Sequence, residues 1–238
     1  MDEIQRRARL IQWIEVIYSD VEDLLIDDHI FWELQEVVEK NPRFKESSGL
    51  FTQWMASSFI QATAVGVRRQ AKSGDESISL RRFLHELQKY PWLVSRKHYM
   101  SFYAGKEAWL VNSAQRNFDC LAGEGSAHIP LAVVEEHLQE LTQGVKAIEH
   151  YVDRRIAHYD RRGLAQPTPT LADLQASLKT LENIVAVYWE FLRGISRRES
   201  PRRGPSKATM LPIIPPDWKE IFQFSWLSLP HDDSSELA

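Results

Sequence analysis

The chain has 238 residues, with 29 Lys and Arg side chains against 33 Asp and Glu, for a formal charge of −4. That balance excludes a general polycation, so any contact with nucleic acid must rest on a local patch. A single cysteine, Cys120, excludes an intrachain disulfide. The opening MDEIQRRARL lacks the apolar core of a signal peptide, and no window approaches the ~18 uncharged apolar residues of a membrane span. The expectation is a soluble protein of the reducing cytoplasm with no membrane partner.

Apolar positions recur at steps of three and four rather than two, which predicts an all-α fold. Ile4, Ile11, Ile14, Tyr18, Val21 and Leu25 form a first stripe ending near Asp27-Asp28, and a short segment from Ile30 to Glu39 follows, stopping before Pro42. Phe51, Trp54, Met55, Phe59, Ala62 and Val65 mark the next helix, which ends in basic residues and Gly74. Its small residues, Ala56, Ser57, Ser58, Ala62, Ala64 and Gly66, leave room for another helix to approach closely. Ser79 reads as the N-cap of a helix through Leu80, Phe83, Leu84 and Leu87, before Pro91. Residues 95–121 read as two helices meeting near Gly105 or as one bent helix. Cys120 is expected to be a small buried residue there.

Two long helices come next. Pro130 opens one carrying Leu131, Val134, Leu138, Leu141, Val145, Ile148, Val152, Ile156 and Tyr159. Thr170, with Asp173 three residues on, caps the other, where Leu171, Leu174, Leu178, Leu181, Val185, Tyr188 and Leu192 repeat. The short loop between them predicts an antiparallel bundle built around this pair. The organisation that follows is a helical domain over 1–195, a basic linker over 196–207 (five bases, one acid), an aromatic tail over 208–230 and a disordered end over 231–238. Trp218, Phe222, Phe224 and Trp226 make the tail irregular and aromatic, suited to packing on the body or on a second subunit.

The chemistry concentrates in DRRIAHYDRRG (153–163), where eleven residues hold four arginines, two aspartates and a histidine. On a regular helix at ~100° per residue, with Val152 at zero, Ile156 falls near 40° and Tyr159 near −20°, the buried side. Arg155 falls near −60°, His158 near −120° and Arg154 near −160° by the same approximate count. His158 and Arg154 therefore face outward, with Arg155 at the boundary. An imidazole beside a guanidinium can serve phosphodiester chemistry, the first as acid or base and the second as phosphate clamp. The same residues also fit a solvated helix end, whose carbonyl dipole attracts cations.

The RRIAHYD pattern resembles the HEPN superfamily of all-α domains, and more narrowly its AbiU-type abortive-infection branch. AVGVRRQAKSGDESISLRRFLHEL (64–87) and the tail around PPDWKEIF are also similar to that branch. The resemblance implies a HEPN-like domain over 1–195 and a metal-independent endoribonuclease of an abortive-infection or toxin–antitoxin system, acting in phage defence as a homodimer. His158 would be the acid/base, Arg154 or Arg155 the phosphate clamp, and Asp160 the orienting residue. A non-catalytic HEPN-like module binding RNA, a nucleotide or a protein, such as an antitoxin, is the alternative.

The motif departs from the family's Arg-x4–6-His spacing. With His158 as the histidine, the arginine belongs at 151–153, where Tyr151, Val152 and Asp153 stand. Either Arg154 or Arg155 substitutes, or Arg68 or Arg69 of another helix supplies the phosphate contact, or catalysis is absent. His85, His98, His128, His137 and His150 show no metal-ligand spacing, so neither a metal nor another cofactor is expected. Arg116-Asn117 is a further exposed polar pair.

Overall fold

The computed structural model describes residues 2–41, 49–74, 76–156 and 168–194. Chain order runs α1 (Glu3–Lys40), α2 (Leu50–Ala71), α3 (Leu80–Lys89), a 3-10 turn (Pro91–Leu93), α4 (Arg96–Ser101) and α5 (Ala108–Ala122). It continues through α6 (Leu131–Gly144), α7 (Lys146–Tyr151), a π turn (Val152–Ile156) and α8 (Leu171–Arg193). Among the described residues there is no strand, only an isolated bridge between Ser95 and His128. The fold is an all-α bundle.

Local signals in the sequence set several boundaries. Ser79 accepts from the Arg82 N–H at 3.3 Å and caps α3, and Thr170 forms a capping box with Asp173 at the start of α8. Thr170 N–H and hydroxyl both donate to Asp173, which holds that carboxyl below its usual range. The 95–121 region is two helices, and Gly105 lies between them at φ 74°, a conformation that favours glycine.

Three expectations change. The predicted break at Asp27-Asp28 is absent, and α1 runs unbroken to Lys40. Nothing in that span forbids a helix, and its far end has a tertiary support: buried Phe31 stacks on Phe59 of α2, with centroids 4.1 Å apart. Burial raises the carboxyl pKa of both Asp27 and Asp28, and Asp23 adds repulsion at Asp27. The single helix expected from Pro130 onward is interrupted instead. Ser177 Oγ reaches the Gly144 carbonyl at 2.7 Å, and a Cβ at Gly144 would press on Thr180. A side chain competing for a helical carbonyl is a recognised cause of such a break. Finally, Cys120 is exposed rather than buried.

The core centres on α8, where Leu174, Leu178, Leu181, Ile184, Val185, Tyr188 and Leu192 are buried. Against α6, His137 meets Tyr188 and Gly144 meets Thr180, so the two helices run antiparallel as expected. Against α1, Tyr18 stacks on Trp189 at 4.1 Å and Glu15 pairs with Arg193 at 3.0 Å, again antiparallel. The small residues of α2 divide. Gly66 lies so close to Leu24 of α1 that a Cβ would collide with it, and Ala64 is buried, whereas Ser57, Ser58 and Ala62 are exposed. Trp54 and Val65 also face out, at 65% and 41% exposure, so the predicted α2 stripe is only partly its buried face.

Candidate functional site

The last turn of α2 carries Arg68, Arg69 and Gln70, and successive residues on a helix diverge by ~100°. Two of the three serve a seam between helices. Arg69 forks onto Asp20 of α1, its Nε donating to Oδ2 at 3.1 Å and its Nη2 to Oδ1. Gln70, 2% exposed, donates to the same carboxylate and accepts the Leu80 N–H at 2.9 Å. That N–H belongs to the first turn of α3, whose amides have no partner within the helix. Asp20, Arg69 and Gln70 thus bind α1, α2 and the start of α3 together.

Arg68 points elsewhere. Its Nε and Nη2 both engage Oδ1 of Asp153, the second residue of the π turn. The Arg68 side chain is 21% exposed and that of Asp153 43%, so the pair lies at the rim of the fold. Within the same turn, Arg155 Nη1 donates to Thr168 Oγ1 at 3.1 Å, tying the turn to the approach to α8. Arg154 is partly buried in that turn. One helical turn earlier, Glu149 pairs with Arg81 of α3 at 3.4 Å.

The π turn alters the geometry assumed for this stretch. Its i→i+5 bonds hold an extra residue per turn, so side-chain directions counted at ~100° per residue do not carry past Val152. The outward face assigned to Arg154 and the boundary position assigned to Arg155 lose their basis. π turns often occur at functional sites, because they displace side chains from a regular helical ladder. The structure therefore brings Arg68 onto the Val152–Ile156 turn and directs Arg69 away from it to α1. His158 and Asp160 lie outside the described residues, as do the predicted linker (196–207), tail (208–230) and C-terminal end (231–238).

Asp153 is the residue here that sequence reasoning passed over. It stands inside the charged motif, but no local pattern links it to an arginine 85 positions away. Several other polar groups singled out in the sequence make hydrogen bonds within the bundle, and Arg116 and Asn117 are exposed as expected. His137 Nδ1 lies 2.9 Å from the Tyr188 hydroxyl, and burial lowers its pKa more than Glu140 and Glu136 raise it. His98 is likewise lowered by burial, and its Nε2 lies 3.1 Å from the Leu192 carbonyl, which fixes that nitrogen as the donor. Asn117 donates to Glu190 at 3.2 Å, beside the Tyr99 hydroxyl at 3.1 Å from the same oxygen. Among the described residues no group of His, Cys, Asp or Glu side chains is arranged to hold a metal ion. No helix among them is long and apolar enough to cross a membrane.

An all-α bundle with an arginine-bearing turn leading into an Ala-His-x-Asp stretch is the arrangement of a HEPN-type domain. The HEPN family described as AbiU2 matches residues 9–202, most of the chain, which therefore belongs to that family. The match covers α2, the π turn and the whole Arg154–Asp160 stretch. No curated protein and no solved structure matches the chain.

Proposed function

We propose that this AbiU2 family member is a metal-independent endoribonuclease of an abortive-infection system, acting as a cytoplasmic homodimer in phage defence. The observation that carries this reading is the meeting of Arg68, from α2, with Asp153 in the family's charged stretch. It supplies a cation from a second helix to a motif whose own arginine spacing departs from the family pattern. In this reaction His158 removes the proton of an RNA 2′-hydroxyl, and the resulting oxygen attacks the adjacent phosphorus. The P–O5′ bond breaks as the ring closes, leaving a 2′,3′-cyclic phosphate and a 5′-hydroxyl that takes up a proton. Arg68 with Arg154 or Arg155 would offset the charge building on the phosphoryl oxygens, and Asp160 would orient the imidazole.

The test is incubation of purified protein with RNA in the presence of EDTA, followed by end-group analysis. Wild type should release cyclic-phosphate ends and His158→Ala should not. Equal survival of RNA with both proteins would overturn the proposal.

One observation favours a second reading. Asp153 already occupies the Arg68 guanidinium, withholding it from a reacting phosphate, which favours a module that binds RNA, a nucleotide or an antitoxin protein through other groups without cleaving it. Salt-sensitive RNA binding without cleavage would select that reading.

A further inference from the structure

A second cationic surface lies on the other side of α3, built from the N-terminal half of α1, α3 and the 3-10 turn. Guanidinium and aromatic groups are interleaved along it. Trp92 meets Tyr90 edge-on, with centroids 5.4 Å apart. Arg6 lies over the Tyr90 ring at 4.2 Å and pairs with Glu86 at 3.7 Å. Arg9 pairs with the same carboxylate and lies 5.1 Å from the Trp13 centroid, as does Arg82 from the α3 side. Arg82 is anchored by the Gly74 carbonyl at 2.9 Å and the Ser77 carbonyl at 3.1 Å, neutral acceptors that leave its charge in place.

The strip runs Trp92, Tyr90, Arg6, Arg9, Trp13, Arg82. Arg6 and Arg9 share one carboxylate, Glu86, and Arg82 contacts backbone carbonyls and the Trp13 ring, so among the described residues the strip carries 3 − 1 = +2 on a protein whose total is −4. Exposed Lys89 beside Tyr90 adds a further cation. The strip still reaches solvent. Trp92 keeps 44% of its surface in water, and the Arg6 and Arg9 side chains keep 27% and 33%. The rings hold the guanidiniums at this surface by cation–π contact, and an arginine guanidinium plane is a surface on which an unpaired base can stack.

We infer that this strip is a docking surface for single-stranded RNA, separate from the Arg68–Asp153 site and delivering the strand to it. Polyanion backbone contacts fall to Arg6, Arg9, Arg82 and Lys89, and base stacking to Trp92. Stacking on an aromatic face is sequence-tolerant, so the surface would select unpaired strands rather than a sequence. The choice of RNA rests on the proposed ribonuclease reading; the charge and the rings do not. The strip also leads toward the site. Its α3 end, Arg82, adjoins Arg81, whose guanidinium reaches Glu149, four residues before Asp153.

The experiment measures binding of a fluorescein-labelled oligouridine in the His158→Ala background, so that no strand is cut. Fluorescence anisotropy is read across a salt series. Adding Trp92→Ala should weaken binding by about 5- to 150-fold, the span of one lost base stack. Adding Lys89→Ala should flatten the log–log salt slope by about 0.7, the value for one phosphate contact on a single strand. A duplex of the same length should bind more weakly than the single strand. The proposal is overturned if both variants bind like the His158→Ala protein, or if the duplex binds as well as the single strand. Since binding is read apart from cleavage, a wild-type protein that cuts nothing would sink the ribonuclease reading and leave this surface standing.

Discussion

Arg68 and Arg69 are neighbours in the chain, yet they belong to regions of opposite character. Arg69 joins a seam in which Asp20 receives both an arginine fork and the buried Gln70 amide, while Gln70 also satisfies the first amide of α3. Every group there answers a need of the fold. The Arg69 side chain is itself 56% exposed, so the seam's strength rests on buried Gln70 bridging three helices. Arg68, 21% exposed, instead makes a single ion pair with a 43% exposed aspartate on an irregular turn. Exposed pairs of that kind stabilise proteins little, because water screens the charges. A pair that contributes little to folding can be exchanged for a phosphate at small cost, whereas the seam cannot be opened without loosening three helices. Basic residues clustered in a sequence are therefore not one patch until their partners are known.

The largest expected effect tests the seam. Gln70→Ala leaves the buried Leu80 N–H without an acceptor and should lower stability by about 2–3 kcal/mol. Urea unfolding should show a shifted midpoint at unchanged slope. At the turn, Arg68→Ala should cost less than about 1 kcal/mol of stability, yet slow RNA cleavage at least about tenfold, roughly 1.4 kcal/mol at the transition state. Asp153→Asn should act in the opposite sense on RNA affinity by releasing Arg68 from its carboxylate, which a binding titration would detect. Arg69→Ala should reduce stability by no more than about 1 kcal/mol, since its side chain is 56% exposed and Gln70 still holds Asp20. The contrast between the two arginines breaks down if Arg69→Ala slows cleavage as much as Arg68→Ala does.

The smallest effect concerns pH. Burial lowers the His137 pKa in the folded protein, so the unfolded chain takes up a proton first as pH falls through about 6.5. Folding stability from this residue is present above that pH and is lost on acidification. His137→Gln should therefore lose less melting temperature than wild type between about pH 7.5 and about pH 5.5. An identical loss in both proteins would remove His137 from the account.

How much of this was legible in the residues follows from the range of the forces involved. Ser79 and the Thr170–Asp173 box act over three residues, and the α8 stripe repeats at the helical period, so local chemistry reveals them. The family stretch around His158 is likewise a contiguous string. The unbroken run of α1 depends instead on Phe31 finding Phe59, and the break after Gly144 on Thr180 and Ser177 of a later helix. The candidate site shows the same limit. DRRIAHYDRRG is visible as a knot of charge, but a regular helix was the only geometry that periodicity could assign to it.

The amino-acid sequence alone determined that this is an all-α chain, where most helices begin, and which charged motif to suspect, because capping and amphipathic periodicity act within a few residues. Only the tertiary structure decided that Arg68 joins that motif while Arg69 braces the fold. A side chain's direction at a helix end, and the partner it meets there, depend on elements packed from far along the chain.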